Sequence, residues 1–394
     1  MRRIRCGIAA VAVLALSLPR TAVAQTAAES IRVAIAQDVP EVDLKIKGQF
    51  TVKALGSNEP IHTGNRLDQV AVKATEGGIL LGDQTLAARA VRIEPQRDAD
   101  INVNGRHLRG TIEIMRKPDS TLQVVNHVPL EDYLRGVVSR EAPDYWPSEA
   151  LKAIAIAARS YAVYQRLTKA DQPFDVRADV MSQDYGGKSS EKLATTRAVN
   201  ATTGIIMTWQ GKVFPTFYHS TCGGMTENGK VMGKYDLPPL KGGVACRFCS
   251  ASPFYSWQRR FTKADVAWAL KKNDRGSVGV VRAVQVVSRT PSGRAQEILI
   301  AGSARSLKIS AYDLRLLFGF DRIRSPLISI YEDGGDFVID GHGWGHGVGM
   351  CQWGACELAR RGMKAPEILR FYYPGVEFTP LSSAGENLTA ITGG

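Results

Sequence analysis

The segment VVSREAPDYWPSEALKAIAIAARSYAVY, Val137 to Tyr164, decides how the chain is read. Just upstream, Leu134, Val137 and Val138 fall at helical spacing behind Pro129, and Glu131 and Asp132 supply acids for a first turn. This pattern predicts a helix entered at Pro129 and ending near Glu141, because Pro143 disfavours helical geometry at Ala142. A second helix should follow. Pro147 suits its first turn, Ser148 and Glu149 add polar start signals, and Leu151, Ile154, Ala158 and Tyr161 form one apolar stripe. Glu141 is left at a helix end, in a tight connection that carries Pro143 and Trp146. Connections of this kind lie at the surface, where reactive groups are displayed. Lys152 and Arg159 fall on related turns of the second helix, near enough for one cleft to use both cations.

Working outward, the stretch from Ile31 to about Val128 alternates apolar and polar residues in short runs such as IRVAIA, VDLKIKG, ARAVRIEP and LQVVNHV, separated by turn residues. That is a β-rich module. Beyond Asp175, strands (TGIIMTW, KVFPTFYHS, VRAVQVVSR) mix with helices (TKADVAWALKKN, SAYDLRLLFGF). DFVIDGHGWGHGVGMCQWGACELARRGM reads as strand, glycine-rich loop and helix. The class is α+β: a β-rich N-terminal module over residues 25–128, a mixed α/β core over 129–380, and a flexible tail over 381–394.

Residues 1–24 read as a secretory signal peptide, with basic MRRIRC, apolar GIAAVAVLALSL and small residues for cleavage after Ala24. The apolar run is too short to span a bilayer and no later run approaches ~20 apolar residues, so no membrane span is expected in the mature chain. Export to the periplasm, cell wall or medium follows. Losing Arg2, Arg3, Arg5 and Arg20 with the leader takes the net charge from +12 to +8. A moderately basic exported protein suits an anionic wall polymer or lipid head groups. Nucleic acid is disfavoured, because no basic run of five or more occurs.

Three constellations can carry chemistry. Glu141, between a helix end and Trp146, is either a solvated helix-end residue or a carboxyl in a partly apolar cleft, where burial would raise its pKa and suit it to act as a general acid. The glycine-rich GHGWGHGVGMCQWGA places His342 and His346 four apart. No Lys-Ser/Thr follows, so a nucleotide cradle fits poorly; turn-making, ligand contact and a metal pair remain open. Lastly, YHSTCGG and ACRFC bring His219, Cys222, Cys246 and Cys249, a complete set for a structural zinc. Oxidation of Cys222 with Cys246 or Cys249 is the competing reading. Five cysteines remain after the leader, an odd number that cannot all pair.

Taken together, LEDYLRGVVSREAPDYWPSEALKAIAIAARSYAVY, RAVNATTGIIMTW, YHSTCGGMTEN, LRLLFGFDRIRSPLISI and GHGWGHGVGMCQWGACELARRGMKAPEILRFYYPGVE resemble the SpoIID/LytB family, the group of sporulation stage II protein D and amidase enhancers. The resemblance runs in order from about Ile31 to Phe378. It implies a SpoIID-like catalytic core and lytic cleavage of peptidoglycan glycan strands stripped of stem peptides, with an N-acetylmuramoyl-L-alanine amidase as partner. It maps the catalytic acid onto Glu141 and requires no cofactor for catalysis. It also makes Lys152, Arg159, Tyr218, Ser220, His342 and Gln352 candidates to hold the glycan. This chain departs from the pattern in having Cys222 and Cys351 where many members carry Ser. It also has Ser182, in MSQDYGGK, where zinc-binding members carry Cys. A zinc here would have moved to another ligand set, and spacing nominates His219, Cys222, Cys246 and Cys249.

Overall fold

The computed structural model describes residues 30–96, 98–233, 235–384 and 388–391. The expected leader lies outside the described residues. The strand Leu122–Pro129 is the hinge of the architecture. It pairs antiparallel with Ser30–Val39 on one side and Thr111–Arg116 on the other, and Leu122 through Asn126 are buried in sequence. A continuous buried run fits a strand covered on both faces. The sheet has eleven strands, passing from Val176–Arg177 through Ser30–Val39, Leu122–Pro129, Thr111–Arg116 and Ala90–Pro95 to the long hairpin Glu41–Ala54 and Pro60–Thr75.

The main helices, in chain order, are α1 (Leu130–Glu141), α2 (Ser148–Thr168), α3 (Leu193–Ala201), α4 (Lys263–Lys272), α5 (Ala311–Phe318), α6 (Gln352–Arg360) and α7 (Ala365–Tyr372). Leu122–Pro129 runs without a break into α1. That helix ends as the sequence predicts: Ala142 before Pro143 is extended, at φ −146° and ψ 144°. Pro147 caps α2 from just outside the helix instead of lying in its first turn. α2 is the central post. Ala150, Ala153, Ala155, Ala157, Ala158 and Ala162 are all buried on it, and such small side chains let α1, α3, α6 and α7 approach closely.

One hydrophobic cluster runs from Ile31 to Val376 and unites the sheet with the helices around α2. The expected β-rich module therefore shares its core with the helical elements beyond residue 128. A second cluster, from Trp257 to Ile339, stands apart. It holds α4, α5 and two three-stranded sheets, Val281–Arg289 with Ala295–Gly302 and Ser306–Ser310, and Ser256–Phe261 with Asp336–His342 and Ile328–Asp333. The stretch read as a single core thus contains an inserted unit with its own apolar interior. Within the stretch expected as a tail, the described residues 388–391 dock on the strand Lys212–Val213. Val213 donates its amide to Thr389 and accepts from the Ile391 amide, at 2.9 and 2.8 Å. Among the described residues, no helix is long and apolar enough to cross a membrane.

Candidate active site

Glu141 closes α1, and the loop after the short strand Val176–Arg177 is folded onto the same helix end. Gly136 makes this possible. The Tyr185 ring lies where its side chain would be, and a Cβ there would meet the ring at 2.7 Å. The Gly186 amide bonds the Gly136 carbonyl at 3.1 Å, Tyr185 Oη donates to Asn126 Oδ1 at 3.1 Å, and Arg140 Nε donates to Asp184 Oδ2 at 3.0 Å. So anchored, the loop delivers the Asp184 amide to Glu141 Oε1 at 3.3 Å. The other oxygen, Oε2, accepts from Gln352 Nε2 at 3.0 Å. Gln352 is the first residue of α6, so carboxyl and amide meet from helices 211 residues apart.

A relay orients Tyr218 nearby. Tyr133 Oη donates to Gln183 Oε1 at 3.0 Å, and Gln183 Nε2 donates to Tyr218 Oη at 2.9 Å. The Tyr218 hydrogen is then free for Glu141, whose carboxylate form it favours. Burial raises the Tyr218 pKa well above the usual phenol value, so it remains a donor. Behind it, His346 Nδ1 accepts from the Val348 amide at 3.0 Å. Its proton therefore sits on Nε2, which donates to the Tyr218 carbonyl at 3.1 Å. Burial pushes the His346 pKa down to about 3, which keeps the ring neutral. The glycine-rich loop thus serves as a scaffold. At Gly349 φ is +69°, and a Cβ would sit 2.0 Å from the Phe217 carbonyl oxygen.

Gln352 and the Asp184 amide are both neutral donors. Glu141 is half-buried, and removal of water from its carboxyl raises its pKa, outweighing the hydrogen bonds from Gln352 and Asp184 that favour the carboxylate. The C-terminal end of α1, the negative end of the helix dipole, acts in the same direction. An acid in such a setting holds its proton to higher pH and yet keeps a surface open to a ligand. Around it, Trp146 and Trp353 pack edge to face at 5.2 Å, while Tyr145 is 75% exposed.

Of the predicted site residues, Gln352 bonds Glu141 directly and Tyr218 reaches the same site through Gln183. Arg159 does not. It is 0% exposed, its Nε and Nη2 grip both oxygens of Glu131 at 2.8 and 2.7 Å, and it also donates to the Ile205 and Val199 carbonyls. It joins α1, α2, α3 and strand Ile205–Trp209, and no glycan can reach it. Lys152 is engaged by Glu149 at 2.8 Å, one turn back on its own helix. Ser220 receives the Trp353 amide on its carbonyl at 3.1 Å, so its backbone seats α6. His342 is exposed, with its ring against Tyr255 of the neighbouring loop at 6.0 Å. Sequence reasoning missed Tyr133, Gln183 and Asp184, although the MSQDYGGK stretch carried the last two.

The three nominated cysteines gather, with a different fourth side chain beside them. The sulfurs of Cys222, Cys246, Cys249 and Cys351 all lie within 4.8 Å of one another, and all four residues are buried. His219 is not among them. Its Nδ1 bonds the Val348 carbonyl at 3.1 Å, and burial holds the ring's pKa well below the usual value. The fourth sulfur of the group is that of Cys351. Cys356, buried on α6, is the odd thiol.

Comparison with known proteins agrees with this organisation. Residues 118–209 match the family model SpoIID, described as Stage II sporulation protein, and residues 248–349 match a domain of unknown function that coincides closely with the inserted unit. An uncharacterized protein of Brachyspira hyodysenteriae is 31% identical over 354 residues, covering 88% of this chain and 92% of its own. Stage II sporulation protein D of Bacillus amyloliquefaciens is 32% identical over 276 residues, 66% of this chain and 76% of that protein. The amidase enhancer of Bacillus subtilis is 27% identical over 356 residues, 78% of this chain and 49% of its own length. With these relatives and the shared α1–α2 segment, the chain belongs to the SpoIID/LytB family.

Proposed function

We propose that this protein is an exported peptidoglycan lytic transglycosylase in which Glu141 is both general acid and general base. A cell-wall role agrees with the names of its relatives. The finer reading rests chiefly on one observation: a single carboxyl, raised in pKa by burial, held by two neutral donors and still partly exposed. The protonated Glu141 gives its proton to the oxygen between N-acetylmuramic acid and N-acetylglucosamine as that bond breaks. The muramoyl C6 hydroxyl then closes onto C1 and surrenders its proton to the Glu141 carboxylate, which restores the acid and leaves a 1,6-anhydro ring. Glycosidases that use water or a covalent intermediate need a second carboxylate. Here the nucleophile is part of the substrate, and proximity supplies what a second acid would. The Asp184 carboxylate is committed to Arg140 and serves through its backbone amide.

The reaction needs no cofactor. Its substrate in this reading is glycan already stripped of peptides by an N-acetylmuramoyl-L-alanine amidase. The kinship with an amidase enhancer favours a second reading, in which the protein binds the wall and aids an amidase without cutting glycan. Purified full-length protein incubated with amidase-stripped sacculi separates the two. Anhydro-muramoyl products from the unaltered protein, lost in Glu141→Gln while sacculus binding persists, support the transglycosylase. Binding without products in the unaltered protein overturns it in favour of the enhancer.

A further inference from the structure

We infer that Cys222, Cys246, Cys249 and Cys351 form a closed tetrathiolate site for one zinc ion, which clips two loops to the start of α6. Four sulfurs at about 2.3 Å from a tetrahedral zinc lie about 3.8 Å apart. The cluster matches that spacing: all four fall within 4.8 Å, and Cys222 Sγ is 3.5 Å from Cys249 Sγ. Each residue is 0% exposed. Four polarizable thiols converging from three separate segments are a poor core filling by themselves, and a soft tetrahedral donor set of this kind suits zinc or iron.

The surroundings are those of thiolates. The amides of Cys222 and Gly354 donate to Cys351 Sγ at 3.3 and 3.4 Å, and the Gly224 amide donates to Cys222 Sγ at 3.4 Å. Tyr372 Oη lies 3.1 Å from Cys246 Sγ. Donors at this range stabilise negative sulfur and orient it, as outer groups do around a bound metal. A zinc with four thiolates carries a net charge of −2. The buried Arg294 offsets part of it at the edge of the cluster, where its Nη2 donates to the Cys222 carbonyl at 2.6 Å. All four positions come from the protein, so no place is left for water or substrate, and the ion's role is structural.

The position of Cys351 gives the clip a consequence for the reactive carboxyl. Cys351 is the N-cap of α6 and precedes Gln352, which holds Glu141. A metal on Cys351 fixes the helix start from which that amide reaches. This last link rests on the proposed role of Glu141; the metal site does not.

Metal analysis and cobalt spectroscopy test the site without reference to activity. Full-length protein produced through its export route should carry about one zinc per chain, with no disulfide on mass analysis after alkylation. Replacing zinc with cobalt(II) should give intense sulfur-to-cobalt charge-transfer absorption, typical of four thiolates and unchanged in His219→Ala. Cys249→Ser should lose the metal and Cys356→Ser should retain it. If Cys249→Ser fails to fold, zinc removal by chelator from the unaltered protein should still lower Tm, and zinc alone should restore it. Metal-free protein with Cys222 in a disulfide, iron in place of zinc, or a cobalt spectrum altered by His219→Ala would each overturn the assignment.

Discussion

The two ends of α1 each carry a glutamate, and they are treated in opposite ways. At the start, Glu131 is clasped by the fully buried Arg159 and also accepts the Gly204 amide at 3.1 Å. The positive end of the helix dipole adds to its support. At the finish, Glu141 is given only neutral donors, at the end of the helix where a negative charge is least welcome. The same helix therefore holds one carboxylate whose charge is matched and one whose charge is left costly. Structure is built from the first. Proton transfer near neutral pH needs the second.

The largest test of this contrast is Glu141→Gln, which should lower turnover of stripped glycan by about 10² to 10⁴-fold, the usual worth of general acid-base catalysis. Product release measured by chromatography would check it. Arg159→Met should damage stability instead, by about 3–5 kcal/mol in urea unfolding, because it strands the Glu131 charge. The double variant with Glu131→Gln should recover part of that loss. Gln352→Ala removes a bond that favours the Glu141 carboxylate, so the alkaline limb of kcat/KM should move to higher pH. A limb that stays in place would show that Gln352 does not act on the carboxyl.

The pH dependence of stability sharpens the comparison further. The folded Glu141 pKa is raised above its unfolded value, so the native state binds the proton more tightly. Its cost to stability is absent below the unfolded pKa, about 4.3, and grows as pH rises through the folded value. Glu141→Gln should therefore have a higher Tm than the unaltered protein at pH 7, and this advantage should vanish toward pH 4. Equal Tm at both pH values would count against a desolvated acid. The smallest effect is expected for Tyr145→Ala. Its 75% exposure predicts a stability change within about 0.5 kcal/mol, with a several-fold rise in KM if the ring is a platform for sugar.

Much of this contrast is legible in the sequence. Pro143 and Pro147 set the break between α1 and α2, the alternation of short apolar runs marks the sheet, and Glu141 stands out by its place between them. The rest depends on contacts distant along the chain. Lys152 and Arg159 share the spacing of one helix face, yet Arg159 is buried by Glu131, Val199 and Ile205, which only the packing of α1 and α3 on α2 brings to it. His219 and Cys222 have good ligand spacing, but the parallel pairing of Tyr218–His219 with Met350–Cys351 inserts Cys351 from 129 residues away. Local spacing carries no trace of that register. The inserted unit is similarly hidden, because its strands and capped helices look like those of the main body until the two apolar clusters are seen to be separate.

The docking of residues 388–391 bears on how the chain behaves when shortened. Lys212–Val213 is the outer strand of the sheet it forms with Ile205–Trp209 and Glu377–Pro380, and the returning segment occupies its free side. A polypeptide cut before Leu388 would present bare amides and carbonyls there, an invitation to pair with another copy. Those few residues act as a selvedge that keeps the fabric from catching on its neighbours.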